Sequence, residues 1–223
     1  MNEYEFTLKF NLQNFQVDAS DYVEKLYENG CDDALIGIGA KGYIALDFIR
    51  EASSAYAAVS SAITDVKKVI PDAVLIEATP DFVGLTDAAK ILGCSRQNIR
   101  NLIVKDVPRS PLPVYEGTPS IWHLADILIW LREEKTYSID DSLLEIAKIN
   151  MNFNTARSWQ RVDSSLQENI KALLPLVNLR ENRVPNIKLQ SLRRRSRRSD
   201  SEKRRFVVYR TGTSSFSNSL KPL

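Results

Sequence analysis

Apolar positions in the first eighty residues fall into short alternating runs separated by helical ones. Tyr4, Phe6, Leu8, Phe10 and Leu12 alternate with Glu5, Thr7, Lys9 and Asn11, the period of two of a half-buried strand over 4–12. Asp18 and Asp21 then open a helix through Val23, Leu26 and Tyr27, which Asn29 and Gly30 stop. Residues 34–38 and 43–48 read as two strands joined by a turn over 39–42. Tyr56, Val59, Ile63, Val66 and Ile70 recur at three- and four-residue spacing, which predicts a helix over 53–70 closed by Pro71 and Asp72. Residues 73–77 supply a fourth strand.

The order strand, helix, strand, strand, helix, strand is that of the split βαβ, ferredoxin-like arrangement. It predicts a four-stranded antiparallel sheet with both helices on one face. The other face is left to dimerise, bind a ligand or meet the next domain. Gly37, Gly39 and Gly42 fall at Gly-x-Gly-x-x-Gly spacing, but they precede a strand where a nucleotide site needs a helix, so they belong to a hairpin, not a nucleotide site. RNA binding on such a sheet needs exposed aromatic residues. Tyr4, Phe6, Phe10, Tyr43 and Phe48 are the candidates, and a hydrophobic core accounts for most of them.

Thr79, Pro80 and Asp81 make a very short hinge, so the two domains should be packed or semi-rigidly coupled. Two short helices follow over 86–102. Thr86 is placed as an N-cap, with Asp87 in the favourable first turn. Ala88, Ala89, Ile91 and Leu92 give a small apolar inner face, and Gly93 ends the helix. Ser95 caps a second helix whose Ile99 and Leu102 point inward, with Arg96, Gln97, Asn98, Arg100 and Asn101 around them. Arg pairs with guanine, and Asn and Gln pair with adenine. A structural helix pair can mimic this layout. The close-packing alanines and five donor-rich residues with no acid among them favour a helix-turn-helix offered to a DNA major groove.

Prolines at 108, 111, 113 and 119 mark the next stretch, in which 112–115 and 120–122 flank Glu116, Gly117 and Thr118 as a short hairpin. Trp122, Leu124, Ile127, Leu128 and Leu131 then predict a helix over 123–134, closed by Trp130. Two helices, a proline-rich link, a β-wing and a packing helix make a winged helix-turn-helix. The motifs at 83–89, 95–98, 113–120 and 122–125 resemble the MerR-like and phage-excisionase group. More closely still, they resemble a little-characterised set of bacterial proteins that carry a ferredoxin-like N-terminal domain. The resemblance covers about 82–134 and implies binding to double-stranded DNA. One departure is Glu116 at the wing tip, where a wing normally brings Arg or Lys to phosphate. His123, the single histidine, reads as a capping or packing residue without a partnered carboxylate.

Ser138 to Asp141 cap a further helix through Leu143, Leu144, Ile146, Ala147 and Ile149, and helical spacing continues past Trp159 and Val162 to Leu166, Ile170, Leu173, Leu174 and Pro175. These helices suit either a partner subunit or the core of the same chain. One recognition helix reads few bases, so a homodimer is expected.

The total charge of +2 hides an asymmetry. Residues 1–179 hold 17 Lys or Arg against 25 Asp or Glu, a net of −8, and residues 180–223 hold 13 against 3, a net of +10. The tail carries Arg193, Arg194, Arg195, Arg197 and Arg198 followed by Lys203, Arg204 and Arg205. It is expected to be disordered and to add sequence-independent phosphate contacts. Five bases and one acid between Lys90 and Arg109 separate the helix-turn-helix from the acidic body. Cys31 and Cys94 support neither a disulfide framework nor a zinc site. No apolar run has the length of a membrane span, and 1–5 is not a signal peptide, which points to the cytoplasm.

The expected protein is therefore α+β: a ferredoxin-like βαββαβ domain over 1–79, a winged helix-turn-helix over 80–135, C-terminal helices over 136–179 and a basic tail over 180–223. Arg96, Gln97, Asn98, Arg100 and Asn101 would read bases or hold phosphates, and Ser95 and Lys105 would touch the backbone. A dimeric transcriptional regulator is the reading. The alternative is a protein-interaction adaptor with a winged docking surface and a non-specific basic tail. No nucleophile–base pair, metal cluster or phosphate loop stands out, so no enzyme, cofactor or metal is expected. A small-molecule ligand of the N-terminal domain is left open.

Overall fold

The alternation at the start of the chain is the organising feature of the computed structural model, which describes residues 1–14, 18–107 and 109–177. The basic tail expected over 180–223 lies outside the described residues. Strand β1 (Asn2–Asn11) turns Tyr4, Phe6, Leu8 and Phe10 inward and leaves Glu5 and Lys9 in solvent. It is central in a four-stranded sheet with β2 (Ala34–Ile38), β3 (Tyr43–Ala52) and β4 (Val74–Thr79), in the order β2-β3-β1-β4. Every neighbouring pair is antiparallel. Phe6 lies opposite Phe48 with stacked rings 5.2 Å apart, and Leu8 and Phe10 face Leu46 and Ile44.

Three helices share the apolar face. The helix expected after Asp18 is a 3-10 turn over Ala19–Tyr22, capped by Asp18, running into the short α1 (Val23–Glu28). Helix α2 (Ala55–Val69) is capped by Ser54 and buries Ala55, Ala58, Ala62, Val59 and Val66; the small residues bring its backbone close to the sheet. The third is α6 (Asp141–Trp159), capped by Asp140, whose Ile146 enters the same core.

Strand β3 runs four residues past its expected end. That extension sets Arg50 on the core face in line with Ile44, Leu46 and Phe48. A guanidinium is tolerated there only because its donors are matched. It holds Asp33 through two bonds of 2.7 and 2.9 Å, Asp65 and Ser61 at 3.0 Å each, and the Gly30 carbonyl, with the Phe48 ring 4.8 Å away. Burial pushes the neighbouring Cys31 thiol up to about 11. Cys94 is only half-buried.

A second core forms around Val83, Ala88, Leu124, Ile127, Leu128 and Leu131. Here β5 (Phe82–Val83) pairs antiparallel with β6 (Trp122–His123), and α3 (Leu85–Ile91), α4 (Arg96–Lys105) and α5 (Leu124–Glu134) pack beside them. The expected hairpin over 112–122 is reduced to a single bridge between Tyr115 and Ile121. The edge of Trp122 is taken instead by Val83, a pairing local spacing does not encode.

Helix α6 belongs to both cores, since its Leu144 and Ala147 enter the second one. The helix left open between partner and core therefore completes the core of its own chain. On its buried side Asn154 meets Ala78 of the edge strand β4 twice, accepting from its N–H at 2.9 Å and donating to its C=O at 2.8 Å. The amide thus occupies the place of a missing neighbouring strand. Its remaining donor reaches Asp81 Oδ2 at 2.7 Å. Residues 1–173 form one compact unit, and α7 (Ser164–Val177) runs to the end of the described chain. None of the described helices is long and apolar enough to cross a membrane.

Candidate nucleic-acid interface

Helix α4 begins as its sequence implies: Ser95 is extended and its hydroxyl accepts the Asn98 N–H at 3.1 Å. Gly93, at φ +63°, makes the reversal from α3, a conformation that favours glycine. The start of α3 differs from expectation. Thr86 is not the cap; the chain leaves β5 at Val83, turns at the extended Gly84, and is helical from Leu85, so Thr86 lies inside the first turn. Ala88 and Ala89 form the inner face, but Ile91 is exposed.

Turns of about 3.6 residues divide α4 cleanly. Ile99 is buried, and Leu102 and Ile103 pack against the second core. Opposite them runs a stripe of Gln97, Asn101 and Val104, at the i, i+4, i+7 spacing of one face. Arg96 and Arg100 flank it on one side, Asn98 and Lys105 on the other. Ser95 and all of these residues are exposed. Within the stripe, Gln97 Nε2 donates to Asn101 Oδ1 at 2.9 Å. Val104 is 61% exposed. Sequence reading missed it, although its seven-residue spacing from Gln97 was a usable signal.

Among the described residues, Lys90, Arg96, Arg100 and Lys105 have no carboxylate partner. Arg109 does not join them, because it is bonded to Asp106 at 3.2 Å and Glu134 at 3.3 Å. Asp106, the one acid of this stretch, is buried and faces inward. The Lys135 ammonium 2.8 Å away, with Arg109, holds its carboxyl below the usual range. The outward face of α4 therefore carries cations and amides beside Val104, with no carboxylate, within an acidic body.

The segment after α4 is tethered by Trp122 Nε1 donating to the Pro111 carbonyl at 3.2 Å and Ser120 to that of Gly117 at 3.1 Å. The Tyr115 ring lies over Gly117, so a side chain at 117 would displace that exposed ring. Tyr115, Leu112 and Val114 are exposed, as is Glu116.

His123 occupies the N-cap position of α5 but makes no side-chain cap. Contrary to expectation it has a carboxylate partner, the fully buried Asp81, with Nδ1 and Oδ1 2.6 Å apart, and its ring lies 4.9 Å from that of Phe82. The hydrogen bond to Asp81 raises the imidazole pKa, burial opposes this, and the Asp81 and Asp126 charges add to the rise. Asp81 also accepts from Leu124 N–H through its main-chain oxygen at 2.7 Å. His123, Asp81 and Asn154 thus join α5, the hinge and α6 in one chain of bonds. Among the described residues no hydroxyl or thiol bonds the other His123 ring nitrogen. Nor is any group of three His, Cys, Asp or Glu among them placed to hold a metal ion.

The chain matches no protein-family model, no curated protein sequence and no solved structure.

Proposed function

We propose that this protein binds double-stranded DNA sequence-specifically, inserting α4 into the major groove, and that it does so as a homodimeric regulator of transcription. The observation that carries this reading is the exposed face of α4, where unpaired cations border a stripe of amide side chains. Amides and guanidinium groups match base edges, and cations on both flanks of one helix can reach the phosphates on both walls of a groove. In this reading α3 and α4 form the helix-turn-helix, and 111–121 is a wing that fixes orientation, since Glu116 repels phosphate. The sheet of order β2-β3-β1-β4 is read as a ferredoxin-like module. Its open face, where Leu35, Tyr43 and Ile49 are exposed among Glu5, Lys9 and Asp47, is the surface offered to a second copy.

The test is a salt titration of duplex binding with the full chain. Removing one cation from a phosphate lowers the slope of log affinity against log salt by about 0.9. Arg100→Ala combined with Lys105→Ala is expected to weaken binding to all duplexes and to reduce the slope by about 2. Binding that ignores both salt and these substitutions would replace the DNA reading by apolar docking to a protein.

A further inference from the structure

The stripe on α4 has chemistry more specific than a cationic helix requires. Gln97 spends one Nε2 hydrogen on Asn101 Oδ1 at 2.9 Å. That bond couples two flexible amides and leaves Gln97 Oε1 as an acceptor beside the Asn101 Nδ2 donor. A neighbouring acceptor and donor in the major groove is the pattern of adenine, with N7 accepting and N6 donating. Guanine offers two acceptors there, cytosine one donor and thymine one acceptor beside its methyl group, so none of them satisfies both amide groups.

Val104 continues the same face. Its aliphatic side chain stands largely in water at the end of a stripe that is otherwise polar. From Asn101 to Val104 the helix rises about 4.5 Å, comparable to the step of about 3.4 Å between stacked bases. An aliphatic group one base step from an adenine-reading amide pair fits a thymine C5-methyl.

Resting on the reading that α4 enters the major groove, we propose that Gln97, Asn101 and Val104 select an adenine and, one base pair on, a thymine. The amide pair hydrogen-bonds adenine N7 and N6, and Val104 covers the thymine methyl. Arg96, Arg100 and Lys105 supply affinity through phosphate without deciding this step.

The experiment uses the full chain and the tightest duplex recovered from a random pool. That duplex is compared with two versions, one carrying 7-deazaadenine, which lacks N7, and one carrying deoxyuridine in place of thymine, which lacks the methyl. Each replacement at the contacted pair is expected to weaken binding by about 5- to 100-fold. Val104→Ala should weaken binding to the thymine duplex and be neutral on the uracil duplex. Asn101→Ala, which removes the donor to N7, should abolish the penalty for 7-deazaadenine.

A duplex that is bound with Arg100-dependent affinity yet tolerates both replacements would overturn this assignment and leave groove entry by α4 standing. A recovered site without an adjacent A·T pair would do the same. Recovery of no shared site would overturn the groove reading itself, and this assignment with it.

Discussion

Replacing Asn154 by alanine removes the side chain that joins the sheet, the hinge and α6. Three hydrogen bonds go: two to the Ala78 backbone, at 2.9 and 2.8 Å, and one to the Asp81 carboxylate at 2.7 Å. The site is dry, with Asn154, Ala78 and the Asp81 side chain all at 0% exposure, so the groups left behind find no water. An unsatisfied buried group costs about 1–3 kcal/mol, and loss of a bond to a charged group lies near the top of that range. Because the three bonds share one side chain, their costs are not additive, and a total of about 3–5 kcal/mol is expected. For a body of this size that corresponds to a fall in Tm of about 10 °C. Urea unfolding followed by circular dichroism measures it. Asn152→Ala is the control, because Asn152 is exposed and only bonds back to Lys148 on its own helix at 2.9 Å; its cost should stay within about 0.5 kcal/mol. A destabilisation below about 1 kcal/mol for Asn154→Ala would refute the role of the amide as a strand substitute.

The His123–Asp81 pair gives stability a pH dependence. Since the folded imidazole pKa is raised, the folded state binds more protons than the unfolded state above the ordinary value of 6.5. Stability from this pair is therefore full below that pH and is lost as pH rises through the folded value. Urea midpoints should decline across this window in the wild type and be flat in His123→Gln. Asp126, whose carboxyl pKa is raised by burial, acts in the acid range instead. Arg50→Met should cost about 3–5 kcal/mol in the same assay, because Asp33 and Asp65 lose their cation. Arg50→Lys should recover only part of that stability, since an ammonium cannot reproduce the two-pronged bond to Asp33.

Local pattern was informative wherever one neighbour decided the outcome. The alternation of Tyr4 to Leu12, the cap at Ser95, the reversal at Gly93 and the exposed polar face of α4 were all legible in the chain. What escaped depends on residues distant in sequence. Arg50 interrupts an apolar run, and only Asp33 and Asp65 explain its position. The carboxylate that partners His123 stands 42 residues away. The hairpin expected over 112–122 is cut to one bridge, and Trp122 pairs with Val83 rather than closing on residues just before it. Helix α6 has Leu144 facing one core and Ile146 the other, so its apolar residues lie on more than one side and do not show a single stripe. The candidate site was more legible than the fold around it, since a solvent-facing helix surface is written in consecutive residues.

The most direct measurement is selection of bound duplexes from a random pool by the full chain, with recovered sites tested for salt-dependent affinity. Recovery of a shared motif, arranged as an inverted repeat with half-sites about one helical turn apart, is the expected result for a dimer presenting two α4 helices. Duplexes recovered without any shared sequence, and bound equally by wild type and by the Arg100→Ala, Lys105→Ala double variant, would contradict it.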